Sequence, residues 1–154
     1  MSDAHDDAGL AVLERRIDVW LAAIAAGWLP VEAIERGEGD ERRWYVRLRG
    51  EDKDFTTVWL TLGQRTLRYE TYVMPAPEEN DATLYEHLLR RNERLVGVHF
   101  SIGIEDAVFL RGELPNHALS EAEVDRVLGT LYATVEQTFQ GLLRIGFASR
   151  FADR

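Results

Sequence analysis

Four histidines, His5, His87, His99 and His117, are the first places to look for metal or acid–base chemistry in this chain. A metal centre needs imidazoles and carboxylates at recognised intervals, such as two histidines one helical turn apart. None of the four has such a neighbour, so no metal is expected. Ser101 stands two residues from His99 and four from Glu105. Residues two apart in a strand share a face, so His99 and Ser101 could approach each other. Alternation with Phe100 and Ile102 explains the same residues as the solvent face of a half-buried strand. No Gly-x-Ser-x-Gly elbow occurs around any serine. The paired carboxylates Glu51-Asp52, Glu78-Glu79 and Glu105-Asp106, and Glu121 with Glu123, fall in turns and first helical turns, where acidic side chains cap and oppose the helix dipole. Gly37-Glu38-Gly39 has no following helix and is ringed by negative charge, a poor start for a phosphate cradle. No catalytic residue and no cofactor is expected, and the chain reads as a non-enzyme.

The bulk composition narrows the partners. The chain has 154 residues, enough for one domain with a real core. Its 18 basic and 27 acidic residues give a net charge of −9. A nucleic-acid footprint needs a basic stripe, and an anionic membrane needs basic clusters, so neither partner is expected. There is no cysteine, which excludes disulfides, thiolate metal sites and cysteine nucleophiles and is compatible with the cytoplasm. The first residues are acidic and polar, with no secretion leader expected. No apolar run approaches the ~18 residues of a membrane span.

The elements that would position any site follow from periodicity. Residues 1–8 read as a flexible lead-in, 9–145 as a single domain and 146–154 as a C-terminal tail. Leu10, Leu13, Ile17, Leu21 and Ile24 recur at helical spacing. Gly27 ends that helix, and Trp28 and Leu29 are placed to fold back onto the core. Val31 to Ile34 is a short strand or a turn. Trp44, Val46 and Leu48 alternate with Tyr45, Arg47 and Arg49 as a strand does. Phe55–Leu62 and Arg65–Met74 form a hairpin through Gly63-Gln64, where a type II′ turn would pair Leu60 with Leu67 and Trp59 with Arg68. Asn80 or Asp81 caps a second helix carrying Leu84, Leu88 and Leu95, closed by Gly97. Val98, Phe100 and Ile102, then Val108, Leu110 and Gly112, give two more strands. Ser120-Glu121-Ala122-Glu123 opens a long last helix with a capping box. The expected fold is α+β, a mostly antiparallel sheet packed by helices in the order α-β-β-β-α-β-β-α.

The hairpin gives the sheet two faces. One is rich in Leu and Val and covered by helices. The other carries Tyr45, Phe55, Trp59 and Tyr72 among Arg47, Arg49, Arg68 and Glu70. Aromatic residues and Arg are what protein interfaces enrich, and Trp59 over Arg68 would form a cation–π pair. Ordinary cross-strand packing accounts for the same residues. As a binding surface, the candidate contacts are Tyr45, Arg47, Phe55, Trp59, Arg68 and Tyr72.

Three stretches, Leu84–Asn92 with Val98–Ile102 and then Val108–Pro115, resemble the YbjN-like family of bacterial sensory-transduction regulators, which shares its fold with type III secretion chaperones. The resemblance covers roughly Leu10 to Phe139. It implies a domain without enzymatic activity, often homodimeric, and it carries no catalytic residues over. The secretion chaperones bind unfolded client segments through apolar patches and strand addition. The reading is therefore a chaperone-like, non-enzymatic protein-binding or regulatory module in the cytoplasm, with a protein partner or client. The alternatives are a small-molecule or lipid-binding domain of the helix-grip type, and a structural dimer within a larger assembly.

Overall fold

The structure, a computed structural model, describes residues 4–152. The first helix, α1 (Asp7–Gly27), starts where the Asp6 carboxylate accepts the Gly9 N–H at 2.7 Å. It buries Leu10, Leu13, Ile17, Leu21 and Ile24, the stripe that the spacing predicts. Strands β1 (Val31–Arg36), β2 (Arg42–Arg49), β3 (Phe55–Leu62) and β4 (Thr66–Met74) follow. After α2 (Asp81–Asn92) come β5 (His99–Ile102), β6 (Val108–Pro115) and α3 (Glu121–Gly146). At α3 the Ser120 hydroxyl accepts the Glu123 N–H, half of the expected capping box. The other half is absent because the Glu123 carboxylate turns to Arg126.

The six strands form one antiparallel sheet in the order β1-β2-β3-β4-β6-β5. All three helices pack on the face carrying Trp44, Val46, Leu48, Val58, Leu60 and Tyr69. Among the described residues no α-helix covers the other face, and the 103–106 connection reaches its edge at Phe109. The α+β single domain is as expected, with one strand more. The Val31 stretch is a strand, and a bulge between Val31 and Ala33 breaks the alternation that would have marked it. Trp28 does return to the core, edge-on to Tyr132 at 5.5 Å, but Leu29 points into solvent at 97% exposure.

The hairpin register differs from the expected one. Leu60 pairs with Tyr69, Leu62 with Leu67 and Trp59 with Glu70. The tip is Gln64-Arg65, with the Gly63 N–H donating to the Thr66 carbonyl, and Gly63 does not adopt a positive φ. A shift of this kind moves partners by two residues and leaves each side chain on its own face, so apolar patterning cannot distinguish the two registers. Buried Asn116 favours the observed one from the far end of β6. Its carboxamide donates to the Gly63 carbonyl and its N–H to the Arg65 carbonyl.

α2 ends at Asn92, short of Leu95 and Gly97, and Asn80 caps it without a side-chain hydrogen bond. The Asn92 carboxamide accepts the Phe100 N–H at 2.7 Å and donates to the Phe100 carbonyl at 3.1 Å. It thus takes the place of a neighbouring strand along β5, an exposed edge that would otherwise attract another chain. The C-terminal segment is tied down as well. The Gly146 carbonyl accepts the Glu78 and Glu79 N–H groups, and the Glu79 carboxylate accepts the Ser149 hydroxyl at 2.7 Å. Residues 1–3 of the expected lead-in and 153–154 of the expected tail lie outside the described residues.

An ion-pair network joins α1 to the first two strands. Glu14 meets Arg36 at 2.6 Å and Arg42 at 2.8 Å, and Asp18 accepts the Trp44 indole N–H at 2.7 Å. The hydrogen bond from Arg36 is the main cause holding the Glu14 carboxyl below its ordinary value. A carboxylate with a lowered folded pKa adds stability that is complete above its unfolded value near 4.5 and is lost as pH falls through the folded value. Wild type is therefore expected to exceed Glu14→Gln in urea-unfolding stability at pH 6, with the gap closing toward pH 3. A gap independent of pH would show that the carboxylate charge is not what matters there.

Candidate functional site

The uncovered face has two aromatic groups, both set by strand alternation. On β2 and β3, the Arg47 guanidinium stacks 3.8 Å from the centre of the Phe55 ring, and Arg49 lies farther off at 5.9 Å. Glu32, displaced by the β1 bulge, pairs with both arginines, at 3.4 Å and 2.7 Å. Tyr45 and Thr57 line the same shallow groove as Phe55.

The second group lies on β3, β4 and β6. Phe109 is its hub, with Trp59 edge-on at 6.2 Å and Tyr72 edge-on at 5.7 Å. The Arg111 guanidinium covers the same ring at 4.4 Å. Edge-to-face contacts of this geometry add about 0.5–1.5 kcal/mol each beyond burial. Gly103 makes room, because a Cβ there would stand 2.4 Å from the Phe109 ring. Glu70 anchors the group from the centre of β4. It accepts the Trp59 indole N–H at 3.0 Å and the Arg111 Nε–H at 2.8 Å. Arg111 also donates to the Ser101 hydroxyl at 3.2 Å.

Lys53, the sole lysine, sits at the margin of this group. Its ammonium donates to the Phe55 and Tyr72 carbonyls at 3.0 and 3.4 Å. Burial lowers its pKa, and the Glu136 charge partly offsets that. Glu136 holds the whole β2–β3 turn, accepting the N–H groups of Glu51 and Asp52 at 2.9 Å each. Burial likewise raises the Tyr72 phenol, with Glu105 adding to the effect.

All six residues singled out from the sequence lie on this face, but they do not form one cluster. Arg47 and Phe55 stack together beside Tyr45, and Trp59 and Tyr72 meet through Phe109. Arg68 is apart from both groups. The expected Trp59–Arg68 cation–π pair is absent because the register sets Glu70, not Arg68, opposite Trp59. Only 13% of the Glu70 side chain is exposed, because Trp59 and Arg111 enclose it. Phe109 and Arg111 are the contributors that the sequence reading missed. The signal was present: Val108-Phe109-Leu110 is an unbroken apolar run in a strand, so one of its members must face away from the core.

The Ser101 hydroxyl accepts from the Arg111 guanidinium, and no hydrogen bond joins it to His99. Among the described residues no three His, Asp or Glu side chains are placed to hold a metal, and no helix is long and apolar enough to cross a membrane.

Three α-helices on one side of an antiparallel sheet, with no α-helix among the described residues on the other, define a class: this is the type III secretion chaperone fold. The Yersinia pestis type III secretion chaperone SycH, solved in complex with a stable fragment of YscM2, superposes with a TM-score of 0.50 at 20% identity, over 76% of this chain and 94% of SycH. Within that class the chain belongs to the YbjN family, described as "Putative bacterial sensory transduction regulator", whose profile matches residues 6–144. Similar chains include uncharacterized proteins of Mycobacterium tuberculosis and Mycobacterium bovis, 38% identical over 104 residues, which is 68% of this chain and 57% of theirs. A Mycobacterium leprae protein is 35% identical over 107 residues, 70% of this chain and 58% of its own. The chain thus matches a little over half the length of these relatives.

Proposed function

We propose that this domain is a non-enzymatic protein-binding module, chaperone-like or regulatory, whose contact surface is the uncovered sheet face. The observation that carries the reading is the Trp59–Phe109–Tyr72 cluster, an aromatic group tied by Glu70 and Arg111 on a face that no α-helix covers among the described residues. Tyr45, Arg47, Phe55 and Arg68 extend the surface around it. Interfaces draw their energy from a few preorganised aromatic and Arg side chains, and rigid groups lose little entropy on binding. Family membership supports a regulatory role, and SycH, which shares the fold, is described in complex with a protein fragment. A cytoplasmic location and a homodimeric state belong to the same proposal.

The helix-grip alternative has less support. The side chains between sheet and helices pack on one another, and the groove at Tyr45 and Phe55 opens on the outer surface rather than beneath α3.

The test is partner capture from the native cell with Trp59→Ala and Tyr72→Ala. Each is expected to weaken partner binding by roughly thirtyfold, the scale of a hot-spot residue, with an unchanged circular-dichroism spectrum. Undiminished recovery by both variants would mean that another surface binds.

A further inference from the structure

Four arginines of the uncovered face have a carboxylate within ion-pair reach, and a fifth does not. Arg47 and Arg49 share Glu32, Arg43 pairs with Glu41 and Thr61, and Arg111 pairs with Glu70 and Ser101. Arg68 is exposed in the middle of β4, and among the described residues its guanidinium has no hydrogen bond, ion pair or ring contact. Its cross-strand neighbour Glu113 directs its carboxylate to the Thr66 hydroxyl at 3.0 Å. Arg68 also borders a groove whose other walls include Val98, His99, Arg111 and Glu113. A guanidinium without an ion pair therefore stands between the Glu113 carboxylate and the His99 imidazole on a protein of net charge −9. A net charge of −9 repels an acidic ligand overall, and a guanidinium with no ion pair is a point where a carboxylate can be received. Such a contrast fixes where and in what direction a partner docks more than how tightly it binds.

The spacing specifies the partner further. Trp59 pairs with Glu70, so Arg68 is its diagonal neighbour across the strand pair, about 7–8 Å away. In an extended peptide, side chains two residues apart project to the same side about 6.8 Å apart. We infer that the face takes an extended protein segment in which an acidic side chain meets Arg68 while an apolar side chain two residues away rests on Trp59. This inference rests on the proposed binding face and adds the chemistry of its occupant. The strong negative charge and the isolation of the cation favour a carboxylate-bearing peptide over a polyanionic strand, which would need several free cations in a row.

Selection of random 12-residue displayed peptides on the intact protein tests it. Peptides selected on wild type are expected to be enriched in Asp or Glu two positions from an aromatic or aliphatic residue. Synthetic versions of those peptides should bind Arg68→Gln roughly two- to fivefold more weakly, the size of an exposed charge pair. Their Asn and Gln counterparts should bind both proteins alike, and Arg68→Glu should prefer Lys-bearing counterparts. Trp59-dependent peptides with no acidic enrichment would overturn the inference and leave the binding face standing. Peptides indifferent to both Trp59→Ala and Arg68→Gln, or no selected binders at all, would overturn both.

Discussion

Phe109→Ala is expected to lower unfolding stability by about 3 kcal/mol, the cost of truncating a buried aromatic ring, although the residue lies on the face away from the core. The ring is only 4% exposed because Trp59, Tyr72 and Arg111 surround it. Its removal leaves two edge-on rings without a partner and a cation over empty space. Phe109→Leu refills much of the volume but not the ring quadrupole, so it should cost about 1 kcal/mol. Urea unfolding of both variants measures the pair. If the binding reading holds, Phe109→Leu should also weaken partner capture while remaining folded. A cost below about 0.5 kcal/mol for the alanine variant, the range of ordinary surface substitutions, would show that the cluster is loose in solution.

Gly112→Ala is expected to be similarly severe, at about 2–4 kcal/mol, combining overpacking with a lost hydrogen bond. A Cβ at position 112 would stand 2.2 Å from the Gly97 carbonyl oxygen and 2.5 Å from the Tyr69 ring. Those two groups are joined, since the Tyr69 hydroxyl donates to the Gly97 carbonyl at 2.6 Å and the ring is 1% exposed. Relief of either clash moves the other group. Backbone and a fully packed ring cannot yield as a surface side chain can. Gly97 itself has φ +77, a conformation that few other residues adopt, so its carbonyl is fixed in place. Thermal or urea unfolding provides the readout, and near-wild-type stability would mean that β6 and the α2–β5 connection lie farther apart than described.

Much of the fold can be read from single-element patterns. The α1 stripe from Leu10 to Ile24, the Ser120 cap and the alternation in β2 and β3 each depend on residues close in sequence, where helical and strand periods are plain. What escapes is set by distant parts of the chain. Asn116 helps to hold the hairpin register from some fifty positions away. The β1 strand is masked by its own bulge. The candidate face shows the same division. Its membership follows from alternation, which a two-residue slip does not disturb, so Tyr45, Arg47, Phe55, Trp59, Arg68 and Tyr72 share a side in either register. Its contacts depend on the register, so the partner of Trp59 is Glu70 rather than Arg68. Phe109 enters only through the β4–β6 pairing, which crosses the whole of α2 in sequence.

The central claim is that the uncovered face, and not the helical side, meets the partner. Photo-crosslinking in the native cell addresses it most directly, with the reactive amino acid placed once at Thr57, beside Phe55 on the sheet face, and once at Gln137, exposed on α3. The expected result is a discrete protein adduct from Thr57 that disappears when Trp59 is also replaced by Ala, and none from Gln137. Discrete adducts from Gln137 alone would contradict the account and move the binding surface to the helices.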